Sequence, residues 1–305
     1  MMTVESMAES MAESPLIFDR LLQRRRRFRA AASPAGHFLL DHVAGEFADR
    51  LSVVLRRFDL GVDLGSPGEA VRMALHRLGT VATIVGADVI ARAKPFVIAD
   101  EEALPFRDGS LDLVTSGLAL HFANDLPGVL AQIRRALKPD GLFLAALFGG
   151  ETLTELRQAF AQAESEIEGG ASPRVAPFAD LRQLGGLLQR AEFALPVTDV
   201  ERLTVRYGSV FDLMHDLRRM GATNALLARR RAPLRRRTVM RMADVYARRF
   251  GDADGRIRAT FDIVWLSGWA PHPDQQQPLK PGSAKTRLAD ALGTREISAG
   301  DKAGR

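Results

Sequence analysis

The chain contains no cysteine, and this absence removes several kinds of chemistry at once. Disulfides, thiolate metal sites, iron–sulfur clusters and cysteine nucleophiles all require that side chain. Aromatic residues are sparse as well, with two tryptophans and two tyrosines among 305 residues. Any catalysis must therefore use other side chains or a bound cofactor.

Long hydrophobic runs are also missing. No apolar stretch approaches the ~20 residues that cross a bilayer, and no basic segment followed by an apolar one opens the chain. Lysine supplies only five of the 42 basic residues, and this preference for arginine is typical of a GC-rich bacterial source. We therefore predict a cytoplasmic bacterial protein without a transmembrane segment or secretory signal.

The net charge of +5 is concentrated in two arginine runs. These are RRRRFR at 24–29 and ARRRAPLRRR at 228–237. Such runs are most often solvated helix faces, and this is the interpretation preferred for both. The alternative is a docking surface for an anionic partner or for peripheral association with a membrane. Neither run alternates with aromatic residues, so no nucleic-acid partner is expected.

Short apolar runs alternate with helical segments from residue 58 to residue 150, which predicts a parallel sheet with helices on both faces. The expected fold is α/β and Rossmann-like. The predicted strands are FDLGVDLG at 58–65, TVATIVGAD at 80–88, PFVIAD at 95–100, LDLVTSGLAL at 111–120 and GLFLAALFG at 141–149.

The flanking segments complete the predicted organisation of the chain. Residues 1–14 form a disordered lead, and residues 15–57 a helical N-terminal preface. Within the main domain, 58–271, helical insertions occupy 151–250 and a strand returns to the sheet at 257–271, while VTDVERLTVRYGS inside the insertions has strand character. The tail, 272–305, is rich in proline, glutamine, glycine and alanine and is predicted to be flexible.

Acidic residues close three successive predicted strands. Asp63 ends the first strand, Asp88 the second, and Asp100 with Glu101 the third. Each acid alone is more often a helix cap or turn residue. Together they favour an adenosine-containing ligand, because a carboxylate at the second strand end accepts hydrogen bonds from ribose hydroxyls. The turn GSPGEA has too few glycines for a diphosphate, so S-adenosylmethionine fits better.

Several segments resemble known families. VDLGSPG, ADEEALPF at 99–106 and LDLVTSGLALHFANDLPGVLAQIRRALKPDG at 111–141 resemble class I S-adenosylmethionine-dependent methyltransferases of type 11. IFDRLLQRRRRFRAAA at 17–32, FGGETLTELRQAFAQAE at 148–164 and FDLMHDLRRMGATNAL at 211–226 are similar to the methyltransferase-like assembly factor of respiratory complex I. The malonyl carrier-protein methyltransferase of biotin synthesis shares the core and is a more distant relative.

The resemblance implies a set of cofactor contacts. The turn would contribute Asp63, Gly65 and Gly68, while Leu120 would border the transferred methyl group together with His121. Asp88 would contact the ribose, and Asp100 with Glu101 the adenine. His121 is a candidate general base, and a capped loop residue is the alternative.

The resemblance also implies a function. The expected enzyme modifies a protein side chain, an arginine, by methylation or hydroxylation, and its protein substrate would be a quinone-site subunit of complex I. The alternatives are a non-catalytic assembly chaperone of complex I and a carrier-protein methyltransferase of biotin synthesis. Any iron site would have to be assembled from ligands scattered along the chain, so the sequence does not support iron.

The opening glycine motif departs from the family pattern D-L-G-x-G-x-G. The segment DLGSPGE is one residue short and carries Pro67 in place of the middle glycine. Proline fixes φ and has no N–H, so the loop changes course and loses a donor. We expect S-adenosylmethionine to bind, but weakly.

Overall fold

The computed structural model describes residues 16–32, 38–276, 283 and 286–295. The predicted lead, 1–14, lies outside these residues, and so does His37. Tertiary contacts divide the chain into two units, residues 1–271 and residues 272–305.

Seven strands form one sheet in the first unit, in the order β3-β2-β1-β4-β5-β7-β6. Strands β1 to β5 pair in parallel, whereas β7 is antiparallel to β5 and β6 is antiparallel to β7. The predicted α/β class with a mainly parallel sheet is confirmed. The strands are β1 (Phe58–Leu64), β2 (Val81–Asp88), β3 (Phe96–Ile98), β4 (Leu111–Gly117), β5 (Leu137–Phe148), β6 (Ala194–Tyr207) and β7 (Ile257–Trp269).

Helices cover both faces of this sheet, which explains why its central strands are apolar throughout. One hydrophobic core contains side chains of α2, α3, α5, α7 and α8, and a second contains side chains of α4 and α6. The helices are α1 (Arg20–Ala31), α2 (Phe38–Ser52), α3 (Ala70–Leu78), α4 (Leu126–Ala136), α5 (Thr154–Glu168), α6 (Leu181–Arg190), α7 (Val210–Arg219) and α8 (Arg236–Phe250).

Aspartates fix where three of these helices begin. Asp19 accepts the Leu22 N–H at the start of α1, and Asp125 accepts the Gly128 N–H at the start of α4. Asp180 begins α6 with a reciprocal capping box. Each cap satisfies an amide that has no partner inside its own helix.

The segment predicted as helical insertions also contains a long strand. β6 spans 14 residues, and its side chains mostly alternate in exposure, which is typical of an antiparallel strand with one face in solvent. The strand character predicted for VTDVERLTVRYGS is therefore confirmed, and the strand extends over Ala194–Tyr207 between the helices of 151–250. β7 carries Trp265, which is buried and meets Phe47 edge-on at 5.0 Å between ring centroids.

The second unit contains one further helix among its described residues, α9 (Leu288–Leu292). Most of the tail predicted to be flexible lies outside the described residues. Across the part of the chain that the structure describes, no helix combines the length and apolarity needed to cross a membrane.

Candidate functional site

The predicted acidic residues meet at the edge of the sheet where the strand order reverses. β1 lies between β2 and β4, so the carboxyl ends of β1 and β4 flank this switch point. Ligands of open α/β sheets bind in the crevice outside such strand ends. As the sequence predicts, an acid lies at the end of each of the first three strands. Asp63 is the last residue but one of β1, Asp88 ends β2, and Asp100 follows β3.

The shortened glycine turn after β1 is held by hydrogen bonds. Gly65 and Gly68 both have positive φ, +70° and +88°, which favours glycine at each position. The Ser66 hydroxyl donates to Asp63 Oδ1 at 2.5 Å and accepts the Gly117 N–H at 2.7 Å. The turn is therefore tied to β1 and β4 although the middle glycine is missing.

Asp63 is buried beneath this turn and forms no ion pair with an arginine among the described residues. Burial raises the pKa of its carboxyl to about 7, while hydrogen bonds from Ser66 and Thr115 act in the opposite direction. The Thr115 hydroxyl lies 3.3 Å from Asp63 Oδ1. Near neutral pH this carboxyl therefore exists in both protonation states, and it serves to shape the turn.

Helix α1 lies over the strand ends and places Arg27 among the carboxylates. Arg27 Nη2 donates to Asp88 Oδ2 at 2.8 Å and to the Gly65 carbonyl at 2.6 Å. Arg27 Nη1 lies 3.7 Å from Glu101 Oε1. The side chain is only 7% exposed, so the interpretation of the 24–29 run as a solvated face is wrong at this position.

The acids after β3, Asp100 and Glu101, form ion pairs with arginines in the earlier turns of α1. Arg20 pairs with Asp100 at 2.7 Å and with Glu101 at 3.0 Å, and Arg24 also pairs with Asp100. Residues 20, 24 and 27 lie on one helix face because their spacing is i, i+4, i+7. This spacing is visible in the sequence and identifies the three arginines that share a helix face. The sequence does not show which carboxylates that face covers.

The pKa values of the two strand-end aspartates shift in opposite directions. Burial raises the pKa of Asp88 and outweighs the attraction of Arg27 and Arg92. Burial also acts to raise the pKa of Asp100, but the Glu102 amide and the arginines Arg20 and Arg24 lower it overall. Asp100 is partly exposed, which explains the smaller effect of burial there.

The start of α1 is fastened to two other segments. Asn124 Oδ1 accepts the backbone N–H groups of Ile17 and Phe18 at 2.8 and 2.7 Å. The Asp19 N–H donates to the Ala225 carbonyl at 2.8 Å. The arginine face is therefore positioned over the strand ends by contacts that lie outside the carboxylate site.

His121 follows β4 in a short 3₁₀ turn, Leu120–Phe122, and is buried among aromatic rings. Its ring centroid lies 4.3 Å from that of Phe122, 4.6 Å from Phe148 and 5.5 Å from Phe178. Burial, and next the charge of Arg27, lower the pKa of His121 to about 3, so the ring is neutral.

The hydrogen bonding of His121 bears on its predicted role. The Phe148 N–H points at Nδ1 at 3.4 Å, which places the proton of the neutral ring on Nε2. Nε2 has no hydrogen-bond partner among the described residues. In this arrangement the ring offers an N–H donor, and its role as a general base stays a prediction. Leu120 is fully buried in the core, whereas Leu118 and Ala119 line the adjoining cavity.

Two cavities lie beside these residues. The smaller, about 30 Å³, is bordered by Gln23, Arg27 and Pro67 together with Leu118 and Ala119. The larger, about 230 Å³, lies near the aromatic rings around His121 and is mainly apolar. Its charged lining residues are Arg26, Arg174 and Arg218, and none of its lining residues is acidic.

A group of three potential metal ligands lies elsewhere. Among the described residues, His42 and Glu46 of α2 and Glu201 of β6 bring their ligand atoms within 4.8 Å of one another. His42 Nε2 already contacts Glu201 Oε1 at 2.6 Å, and His42 is exposed. One exposed histidine with two half-buried carboxylates gives no second observation in favour of an ion, so no metal role is assigned to the group.

Comparison with known proteins gives consistent results for sequence and fold. A family model described as a methyltransferase domain matches residues 62–145. The mitochondrial arginine hydroxylase NDUFAF5 of Homo sapiens is 40% identical over 287 residues, which cover 90% of this chain and 83% of that protein.

Two further similarities are more limited. A malonyl-[acyl-carrier protein] O-methyltransferase of Laribacter hongkongensis is 41% identical over 194 residues, 64% of this chain and 63% of that protein. A solved methyltransferase structure from Bacillus halodurans aligns with a TM-score of 0.52 at 15% identity, covering 74% of this chain and 99% of that one. At that identity the structural likeness supports the fold alone, and the Rossmann-like methyltransferase fold is confirmed.

Proposed function

The chain belongs to the family of the NDUFAF5 arginine hydroxylases, and its fold is that of class I methyltransferases. From this premise we propose that it is an S-adenosylmethionine-dependent enzyme. Its substrate is a protein side chain, an arginine, which it modifies by methylation or hydroxylation. The resemblance to complex I assembly factors makes a quinone-site subunit of complex I the proposed partner, met in the bacterial cytoplasm.

The strand ends have the chemistry that S-adenosylmethionine requires. Asp88 at the end of β2 is suited to accept from both ribose hydroxyls, and Asp100 with Glu101 would face the adenine. Glu101 Oε2 is buried and has no hydrogen-bond partner among the described residues, so an acceptor is available there. A Cβ on Gly65 would stand 3.1 Å from Ala119 Cβ, so only glycine lets backbone pass this closely.

When bound, S-adenosylmethionine supplies an electrophilic methyl group. The residues of this chain supply binding and exclusion of water. Phe122, Phe148 and Phe178 enclose His121, and the larger cavity opens between this aromatic cluster and α5 and α7. The neutral imidazole with its proton on Nε2 has one N–H to donate, and this N–H is buried beside the aromatic rings that border the cavity.

The observation that carries the proposal is the convergence of Asp88, Asp100 and Glu101 at one edge of the sheet. Such carboxylates can bind ribose hydroxyl and adenine amine donors, and the turn after β1 has too few glycines to hold a diphosphate. This selects an adenosyl ligand without phosphates.

The proposal is tested in a strain from which the gene has been deleted. The strain is complemented with the natural chain, with Asp88→Ala, or with the control Asp59→Ala, whose side chain is exposed on β1. Peptides of the quinone-site subunit of complex I are then weighed by mass spectrometry. We expect one arginine to carry an added oxygen or methyl group with the natural chain and with Asp59→Ala, and to lack it with Asp88→Ala.

One result would contradict the role of Asp88, and another would contradict an enzymatic role. If Asp88→Ala restores both the modification and complex I assembly, the carboxylate is not needed for catalysis. If it restores assembly while the natural chain leaves every arginine unmodified, the protein is an assembly chaperone.

A second function, methylation of a carrier-bound acid, is favoured by the lining of the larger cavity. Three arginines and no carboxylate line this apolar space, so an anionic or apolar acceptor is more stable there than a guanidinium group. The similarity to a malonyl carrier-protein methyltransferase is consistent with this candidate. Biotin auxotrophy of the deletion strain would support it, and growth without biotin would exclude it.

A further inference from the structure

The carboxylates that the proposed function assigns to the cofactor are bound by arginines of this same chain. Arg27 contacts Asp88, and Arg20 contacts both Asp100 and Glu101. We propose that α1 is a latch over the cofactor site, and that its arginines and S-adenosylmethionine bind the same carboxylates in turn. This inference rests on the proposed function, since it concerns the regulation of that site.

Space is the first reason that latch and cofactor exclude one another. With Arg27 in place, the cavity it borders with Pro67 and Gln23 has a volume of about 30 Å³. Small-molecule sites in proteins occupy roughly 300–1,000 Å³. The space beside the glycine turn is therefore too small for the cofactor while Arg27 stays in place.

Shared hydrogen bonds are the second reason. Arg27 Nη2 uses Asp88 Oδ2 and also the Gly65 carbonyl, which belongs to the glycine turn. A ribose that bonded to Asp88 would need the position of this guanidinium group. The displacement therefore exchanges one set of donors on Asp88 for another, and the buried carboxylate is paired before and after.

Charge balance explains why arginines occupy the carboxylates in the latched state. Four acids and four arginines meet here, so the buried carboxylates are neutralised as a group. The acids are Asp88, Asp100, Glu101 and Glu102, and the arginines are Arg20, Arg24, Arg27 and Arg92.

The latch is held mainly by polar contacts. Among the residues of α1, the buried ones are Gln23, Arg27 and Ala30, whereas α2 buries six apolar side chains. Leu21 and Phe28 are 61% and 68% exposed. A helix that contributes so little apolar surface to the core can leave its place without opening the core.

The latched state also leaves polar atoms unsatisfied. Glu101 Oε2 and Gln23 Nε2 are buried and have no hydrogen-bond partner among the described residues. An unsatisfied buried group destabilises the state that contains it. This penalty lowers the free energy that a ligand must supply to displace α1.

The first test measures the affinity for S-adenosylhomocysteine by calorimetry with the full chain. The variants are Arg27→Ala and, as the matched control, Arg29→Ala, because Arg29 is exposed on the same helix. A latch closed about 99% of the time weakens apparent affinity about a hundredfold. We therefore expect Arg27→Ala to bind up to about a hundredfold more tightly than the natural chain, and Arg29→Ala to bind like it.

The second test needs no variant and so does not depend on the folding of one. Hydrogen exchange of the backbone amides is followed with and without S-adenosylhomocysteine. Exchange in α1 should rise on binding while exchange in α2 stays constant.

The outcomes separate the latch from the proposed function. Equal binding by the natural chain and Arg27→Ala, with unchanged exchange in α1, overturns the latch and leaves the cofactor assignment standing. Weaker binding by Arg27→Ala also overturns the latch, since Arg27 would then be a cofactor contact. If neither protein binds, the cofactor assignment fails and the latch fails with it.

Discussion

The two arginine runs of this chain have nearly the same composition but lie in different surroundings. The run at 24–29 lies on α1 and inserts Arg27 among buried carboxylates. The run at 228–237 lies between α7 and α8 and reaches into the first turn of α8, and its arginines are half-buried or exposed. In the second run, Arg230 and Arg235 pair with Glu168 of α5.

The difference comes from the acids that each run meets. Three acids at strand ends face α1, and two of them, Asp88 and Glu101, are buried. The second run meets Glu168 at the end of α5, which pairs with the half-buried Arg230 and the exposed Arg235. A charge run therefore cannot be interpreted from its own residues, because burial is decided by the partner segment.

The largest expected effect comes from Arg27→Met. Removing the guanidinium leaves Asp88 buried without its nearest cation, and breaking a buried pair in this way costs about 3–5 kcal/mol. Urea denaturation should show that loss in the free energy of unfolding. Arg29→Met, on the exposed side of α1, is the control and should change stability by less than about 0.5 kcal/mol. Equal losses for the two variants would contradict the distinction between the two sides of the helix.

Much of the sheet could be predicted because its strands carry their own signals. The apolar runs ending in Asp63 and Asp88 lie in the sheet as expected, and the strand-end acids meet at one edge. The end of β4 was predicted less well, since Leu118 takes a positive φ of 51° and starts the turn that carries His121. A leucine gives no sequence signal of a positive φ, so this turn could not be predicted.

The contacts of α1 could not be predicted from local pattern. Arg27 and Asp88 are 61 positions apart, and their pairing depends on how α1 crosses the strand ends. That placement is set by Asn124 and Ala225, which are still more distant in sequence. Helical spacing identifies the face formed by residues 20, 24 and 27, but only the tertiary fold identifies what it covers.

Asp63 provides the next test, since it is a strand-end acid without an arginine partner. Its folded pKa, about 7, lies above the ordinary value of 3.8, so the folded protein binds more protons between these pH values. Its contribution to stability is complete below about pH 3.8 and is lost as the pH rises through 7.

Asp63→Asn should therefore gain stability relative to the natural chain as the pH rises from 4 to 8. The gain is on the order of 2–4 kcal/mol, since one pKa unit corresponds to about 1.4 kcal/mol. Urea titrations at several pH values measure it, and the difference between the two proteins removes the contribution of His121. A constant difference across this range would show that Asp63 ionises normally.

A smaller effect is expected in the second run from Glu168→Gln. The change removes the attraction to Arg230 and Arg235 but keeps an acceptor for the Thr238 hydroxyl, 2.6 Å from Glu168 Oε1. We expect Tm to fall by about 1–2 °C at low salt. The fall should shrink in 1 M NaCl, where the Debye length is about 3 Å. A loss as large as that of Arg27→Met would remove the contrast between the runs.

The smallest effect is expected from Arg237→Ala. Arg237 is exposed in the first turn of α8, where a positive charge is unfavourable because the helix dipole places partial positive charge there. Alanine also has a higher helix propensity. The helix dipole and the helix propensity both favour the variant. We therefore expect it to be more stable than the natural chain, by up to about 0.5 kcal/mol in the free energy of unfolding. Urea denaturation beside Arg27→Met measures it, and a destabilisation of several kcal/mol would mean that the second run is buried against an acid as the first one is.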